Sequence, residues 1–182
     1  ANLLRRGGLD PVQAARLDKM DAAARHLLAL INDILDFSKI EAGKFVLEEA
    51  PVDIDALLQN VVAQVSERVH AKNLRLLIGS DDLPGGLIGD PTRLRQALLN
   101  YVGNAIKFTD SGRISLRVGL LAKEEDEVRL RFEVEDTGMG IEPEARSRLF
   151  SAFEQADNST TRKYGGTGLG LAITQHLAAL ME

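Results

Sequence analysis

The sequence of 182 residues contains no cysteine, which excludes disulfide bonds, cysteine-ligated zinc sites and a thiol nucleophile. It has no excess of basic residues either. Its net charge is −5, whereas nucleic-acid-binding domains normally carry a basic face. No apolar run approaches the roughly 18–20 residues that span a bilayer, and no signal peptide opens the chain. We therefore expect a soluble, cytoplasmic chain without nucleic acid or direct membrane contact, and a fragment, since it begins at Ala1.

Apolar residues make up 45% of the chain and charged residues 27%, the mixture of an ordinary globular protein. The first organised segment, 10–44, predicts a long helix. Asp10 and Pro11 suit its N-cap and first position, and Gly43 suits its end. Its apolar stripe should bury itself against partner helices, from a missing first arm or from a second subunit. The stripe contains Leu17, Met20, Ala24, Leu27, Leu28, Ile31, Ile34 and Leu35.

Beyond residue 44, helical and strand patterns alternate without regular βαβ units. This favours an α+β two-layer sandwich, in which helices cover one face of a mixed, mainly antiparallel sheet. Residues 151–166 are polar, contain glycine and show no period, so they predict a mobile loop. The predicted strands are 45–47, 74–78, 114–121 and 128–135, and the predicted helices are 54–69, 91–108 and 168–181. The residues of the helix 91–108 expected to face inward are Leu94, Ala97, Leu98, Tyr101, Val102 and Ala105.

One face of the third helix carries Asn100, Asn104 and Lys107, at spacings of four and three. Two amide oxygens and an ammonium group suit a hydrated Mg²⁺ that is shared with phosphates. The alternative is an ordinary solvated helix face, because asparagine and lysine are common there.

Two glycine-containing turns follow. A strand ends at Asp136 and leads into Gly138 and Gly140, where a buried carboxylate could accept a hydrogen bond from an amine such as that of adenine. An ordinary Asp-x-Gly turn is the alternative. Residues 165–170 hold four glycines directly before a helix, which suits an anion site or, alternatively, a flexible hinge. Leu171 breaks the G-x-G-x-x-G pattern, and no Gly-Lys-Ser/Thr follows.

The order of these stretches resembles the sensor histidine kinases. DPTRLRQALLNYVGNAIKFT resembles their N box, DTGMGI their G1 box, LFSAFEQ their F box and GTGLGL their G2 box. LINDILDFSKIEAGK resembles the second helix of their dimerisation and phosphotransfer domain. The resemblance implies a partial dimerisation domain at 1–43, with most of its first helix missing, and a catalytic ATP-binding domain at 44–182.

The resemblance also implies roles for single residues. Asn104 would bind Mg²⁺ with support from Asn100, Lys107 would meet phosphate, and Asp136 would accept the adenine amine beside Phe108. Loop 150–166 would be the ATP lid. The other residues implied at the nucleotide are Gly138, Gly140, Ile141, Arg162, Lys163, Gly166, Thr167, Gly168, Leu169 and Gly170.

Hydrolytic relatives carry a glutamate, the general base, where this chain has Asn100, and an amide cannot abstract a proton. The implied activity is therefore transfer of the ATP γ-phosphoryl group to a histidine, and from there to a response-regulator receiver domain. A homodimer would form through the 10–43 helix and its missing partner helix. The alternatives are an ATP hydrolase of the same superfamily and a degenerate nucleotide-binding scaffold.

Two features depart from the family. No Ser-His-Glu-x-x-x-Pro box is present, and His26, His70 and His176 each lack its context. We expect the chain to begin just beyond that box, so that the fragment binds ATP without phosphorylating itself. The family usually adds strands after the last helix, but this chain stops at Glu182.

Overall fold

The structure is a computed structural model that describes residues 10–125, 127–146, 148–152 and 168–181. Most of the predicted lid loop therefore lies outside the described residues. The chain divides into two compact units, Ala1–Phe45 and Val46–Glu182. Among the described helices, none combines the length and apolarity that crossing a membrane requires.

The described part of the first unit contains one long helix, α1 (Pro11–Glu41). Its start is confirmed as predicted: the Asp10 carboxylate accepts hydrogen bonds from the backbone N–H groups of Val12 and Gln13, both at 2.8 Å. The Gln13 side chain accepts in return from the Asp10 N–H at 3.2 Å, which completes a capping box. The apolar stripe is exposed in the described chain at Met20, Leu27, Leu28, Ile31, Ile34 and Leu35.

The described residues of the second unit include four helices: α2 (Ile54–Ala71), α3 (Pro91–Phe108), the short α4 (Pro143–Arg146) and α5 (Gly170–Leu180). Asp53 caps α2, because its side chain accepts from the Ala56 N–H at 2.9 Å. Asp90 caps α3 by accepting from the Arg93 N–H at 3.0 Å. The bounds of α3 are those that its sequence predicts.

Within the described ranges, five strands form two sheets. β1 (Ala50–Pro51) pairs antiparallel with β3 (Ile88–Gly89). The larger sheet has the order β2-β4-β5, in which β4 pairs parallel with β2 and antiparallel with β5. Its strands are β2 (Arg75–Ser80), β4 (Arg113–Lys123) and β5 (Val128–Asp136). The mixed sheet and its helices confirm the predicted α+β class.

The core lies between this sheet and the helices. On the central strand β4, Ile114, Leu116 and Val118 are buried, whereas Arg113 and Arg117 on the opposite face are exposed. This alternation is that of a sheet covered on one face. The buried residues of α2 and α3 that complete the core are Ile54, Leu57, Leu58, Val61, Val65, Val69, Leu98, Val102, Ala105 and Ile106.

Two local predictions were wrong. Residues 45–47 form no strand, because the backbone reaches the pairing edge of β3 only at Ala50–Pro51. Val46 is accordingly 84% exposed. Tyr101, expected to face inward with its helical neighbours, is 36% exposed, because the buried stripe of α3 runs through Leu98, Val102 and Ala105 instead.

Candidate nucleotide-binding site

Asn100 lies at the contact between α3 and α5. Its amide Nδ2 donates to the Thr174 hydroxyl at 3.1 Å, and that hydroxyl donates to the Gly170 carbonyl at 2.9 Å. A Cβ on Gly170 would overlap the Asn100 amide, so a glycine is needed where α5 begins. Thr174 is buried, and the sequence analysis did not include it.

Asn104 and Lys107 follow on the same helix and are both partly exposed. The Lys107 ammonium lies 4.8 Å from the centre of the Phe108 ring, within the range of a cation–π contact. Burial lowers the pKa of Lys107 from its ordinary value, since desolvation disfavours the charged form. An ammonium and an aromatic ring therefore meet at the C-terminal end of α3.

The Asp136 carboxylate ends β5 and is held by two donors on one oxygen. Oδ1 accepts from the Gly138 N–H at 2.8 Å and from the Thr109 hydroxyl at 3.3 Å. The residue is exposed in the described chain, so the expectation of a buried carboxylate was wrong. An ordinary Asx turn accounts for the first bond but not for the second, which joins Asp136 to the end of α3.

The turn that follows Asp136 lies directly against the end of α3. The Met139 N–H donates to the Phe108 carbonyl at 3.4 Å. A Cβ on Gly138 would lie 2.7 Å from Asp136 Oδ1 and 2.9 Å from Thr109 Oγ1, which is too close for any side chain. Gly140 has a φ of +72°, a backbone conformation that favours glycine.

A cavity of about 250 Å³ opens at this junction. It brings together three of the predicted site residues, Lys107, Phe108 and Gly138, but Asn100, Asn104 and Asp136 do not line it. The volume is below the roughly 300–1,000 Å³ of most small-molecule pockets, so this cavity alone does not form a complete ligand site. The remaining lining residues, which were not predicted as site residues, are Asp110, Ser111, Thr137 and Met139.

The second glycine-rich stretch is described only from residue 168 onward. Gly168 has a φ of +69°, and Leu169, the N-cap of α5, is 1% exposed. Arg162, Lys163, Gly166 and Thr167 lie outside the described residues. Ile141 is 51% exposed beside the Asp136 turn.

The donor atoms limit which metal this site can hold. The described residues contain no group of three or more His, Asp or Glu side chains placed to hold an ion. The hydrogen bond to Thr174 uses Nδ2 of Asn100 and not Oδ1, so the predicted ligands on this face are the amide oxygens of Asn100 and Asn104. Such a set fits Mg²⁺, which keeps several waters and binds proteins through one or two oxygens plus substrate phosphates.

Two family models match separate parts of the chain. Residues 89–182 match the model described as histidine kinase-, DNA gyrase B- and HSP90-like ATPase. Residues 1–43 match the model described as His Kinase A (phospho-acceptor) domain.

Relatives of known name agree with these matches. The chain is 47% identical over 170 residues to the signal transduction histidine-protein kinase BarA of Escherichia coli K12, covering 93% of this chain and 18% of BarA. It is 46% identical over 181 residues to the sensor histidine kinase GacS of Pseudomonas protegens, covering 99% of this chain and 20% of GacS. The chain thus spans about a fifth of the length of these relatives.

A solved structure gives the same result for the fold. Full-length ShkA in complex with AMPPNP superimposes with a TM-score of 0.77 at 40% identity. The match covers 98% of this chain and 36% of ShkA.

Proposed function

We propose a function for this chain from its family, since it belongs to the sensor histidine kinases. In this proposal, its second unit binds Mg·ATP and donates the γ-phosphoryl group to a histidine. That histidine would lie on a dimerisation and phosphotransfer domain, and a response-regulator receiver domain would then accept the group. The domain boundary that we propose is at residues 43/44. The parent protein would act as a dimer through the 10–43 helix and its partner helix.

The observation that carries this proposal is the chemistry of α3. The helix contains no Asp or Glu, and its Asn100 amide is fixed by the Thr174 hydroxyl at 3.1 Å. Hydrolysis of ATP needs a base that takes a proton from water, and neither an amide nor a lysine ammonium can do so. A site with this helix supports transfer to a better nucleophile than water.

The nucleotide would lie along the end of α3. Its adenine would rest on Phe108 and against the Gly138–Ile141 turn, with the exocyclic amine donating to Asp136. The described contacts support this arrangement, because both donors to Asp136 bond to Oδ1 and leave Oδ2 for the ligand. The solved ShkA structure is a complex with AMPPNP, an analogue of ATP, which supports ATP as the nucleotide.

The polyphosphate would extend toward Lys107 and Asn104. The Lys107 ammonium would bind phosphate oxygens, and the Asn104 amide oxygen would bind Mg²⁺ together with those oxygens and water. When bound, Mg²⁺ would neutralise charge on the phosphates, and this chain's residues would contribute position and charge rather than covalent chemistry. Arg162 and Lys163 stay predicted phosphate contacts of the lid.

A transfer assay tests the proposal. The chain is incubated with γ-labelled ATP, Mg²⁺ and a dimerisation domain that contains a Ser-His-Glu box. We expect label on that domain in an acid-labile, alkali-stable form, as a phosphohistidine gives, and little free phosphate. The control is the same acceptor domain with its histidine replaced by glutamine, which should stay unlabelled.

Two measurements, phosphate release in this assay and ATP binding in calorimetry, separate the alternatives. Steady phosphate release at rates typical of an ATPase, without labelled acceptor, would make the chain a hydrolase. Failure to bind Mg·ATP in calorimetry would make the degenerate scaffold the leading hypothesis. Asn100 argues against the hydrolase, and Asn104, Asp136 and the glycines argue against the scaffold.

A further inference from the structure

Lys72, which follows the last residue of α2, reaches across to the end of α3. Its ammonium donates to three backbone carbonyls there, those of Ile106 at 2.8 Å, Lys107 at 3.1 Å and Thr109 at 3.1 Å. All three ammonium protons are thereby used on one helix end. Lys72 lies outside all four sequence boxes.

These bonds act where a helix end needs them. The last carbonyls of an α-helix have no intrahelical partner, and together they form the negative end of the helix dipole. A cation that donates to them stabilises the final turn. The Lys72 side chain is 31% exposed, so water competes only partly for its bonds. Lys72, at the C-terminal end of α2, therefore stabilises the last turn of α3, which contains Lys107 and Phe108.

Thr109 connects the end of α3 to the Asp136 carboxylate. It is fully buried, its carbonyl accepts from Lys72, and its hydroxyl donates to Asp136 Oδ1 at 3.3 Å. Its N–H donates to the Ala105 carbonyl at 3.0 Å, so the residue is fixed by three bonds. The Gly138 N–H supplies the second donor to Oδ1 at 2.8 Å. With Oδ1 occupied in this way, the orientation of the carboxylate is set.

We propose that Lys72 and Thr109 are positioning residues that orient the Asp136 carboxylate and thereby set the selectivity of the site for a nucleotide with an exocyclic amine. This inference rests on the proposed function, in which Asp136 accepts a hydrogen bond from adenine. Thr109 acts directly on the carboxylate, and Lys72 acts through the backbone of Thr109. Neither residue is assigned any contact with the nucleotide.

The competing explanation is that both residues only stabilise the fold. A general loosening of α3 would weaken binding of every nucleotide by the same factor. Loss of carboxylate orientation would weaken only ligands whose amine uses that carboxylate. The test therefore compares ATP with purine riboside triphosphate, which lacks the exocyclic amine, by displacement of a fluorescent ATP analogue in Mg²⁺.

Thr109→Val removes the hydroxyl and keeps the shape of the side chain, and Thr109→Ser keeps the hydroxyl. We expect Thr109→Val to weaken ATP binding about tenfold, the size of one hydrogen bond to a charged group. The affinity for purine riboside triphosphate should stay within about twofold of the wild-type value. Thr109→Ser should keep the wild-type ratio of the two affinities. Equal losses for both nucleotides in Thr109→Val, or no loss at all, would overturn the role of Thr109.

Lys72→Met keeps the length of the side chain and removes its donors, and Lys72→Arg restores charge and donors. We expect a smaller selective loss of ATP affinity in Lys72→Met, roughly three- to fivefold because it acts indirectly, with recovery in Lys72→Arg. Lys123→Met, at the exposed end of β4, is the matched control and should bind both nucleotides as the wild type does. A non-selective loss in Lys72→Met would overturn the role of Lys72.

Asp136→Asn tests the premise separately. Because the Oδ1 position accepts from two donors, an asparagine would keep its oxygen there and turn its Nδ2 toward the ligand, where it cannot accept from an amine. The affinity for ATP should then fall, whereas the affinity for purine riboside triphosphate should not. If Asp136→Asn shows no selective loss, the adenine assignment itself is wrong. If Asp136→Asn shows a selective loss of ATP affinity and Thr109→Val does not, only the positioning inference is wrong.

Discussion

The ammonium of Lys107 is sensitive to pH because burial lowers its pKa. It lies over the Phe108 ring, 4.8 Å from the ring centre, and burial holds its pKa below the ordinary value of a lysine. The charged form is the one that binds a polyphosphate. In the free protein this charge is therefore lost at a lower pH than for an exposed lysine, and bound phosphate must restore it.

ATP affinity should accordingly decrease as the pH rises through the lowered pKa of Lys107. Lys107→Arg, which stays charged over the same range, should keep its affinity. We expect the full loss to be about tenfold, the size of one charge-assisted hydrogen bond. ATP titrations from neutral to alkaline pH measure both proteins. Parallel curves would show that another group causes the decrease.

Residues that act through long-range contacts are the ones that the sequence analysis did not find. Asn100, Lys107 and Asp136 follow motif spacing along the chain, so their neighbourhood at the end of α3 could be expected. Lys72 and Thr174 have no such spacing. Lys72 reaches α3 across 34–37 residues of sequence, and Thr174 reaches Asn100 across 74. Such contacts exist only after the helices have packed.

At the scale of elements, α3 is joined to the chain ahead of β1 through one buried carboxylate. Asp90 is 3% exposed; Oδ1 caps the helix through the Arg93 N–H, and Oδ2 accepts from the Glu48 N–H at 3.1 Å. One side chain therefore fixes the start of the site helix and a backbone segment 42 residues earlier.

Replacing Asp90 with alanine should lower the free energy of unfolding by about 2–3 kcal/mol. Loss of an N-cap costs roughly 1 kcal/mol, and loss of the second hydrogen bond, from the N–H of the exposed Glu48, adds about 1–2 kcal/mol. Asp53→Ala is the matched control. Asp53 is exposed and caps α2 through one bond, so we expect a loss of about 1 kcal/mol. Urea unfolding measures both, and equal losses would show that the Glu48 bond contributes nothing.

Elements with local signals could be predicted from the sequence. The bounds of α3 agree with the prediction because Asp90, Pro91 and a regular apolar period all indicate them. Residues 45–47 carry the apolar composition of a strand, yet no local signal shows which backbone lies beside them. Strand pairing is a property of two distant segments, and in this region only Ala50–Pro51 meets β3.

At the scale of the whole molecule, the two units differ in where their apolar residues lie. The buried core cluster runs from Ile54 to Val118 and belongs entirely to the unit Val46–Glu182. The described part of the other unit exposes its stripe instead, with Met20 at 67% and Leu28 at 60%. A patch of this kind marks an association surface, whereas a complete core supports folding of a unit by itself.

We therefore expect residues 46–182, prepared alone, to be monomeric and to bind ATP with the affinity of the whole chain, while the whole chain self-associates. Sedimentation and ATP titration measure the two properties. A charge in the apolar stripe should abolish self-association, as removal of residues 1–45 should. Leu35→Glu is therefore expected to make the whole chain monomeric. Val46→Glu should not, although Val46 is also apolar and 84% exposed, because it lies outside the stripe. Self-association of residues 46–182, or a marked loss of their ATP affinity, would contradict this division of roles.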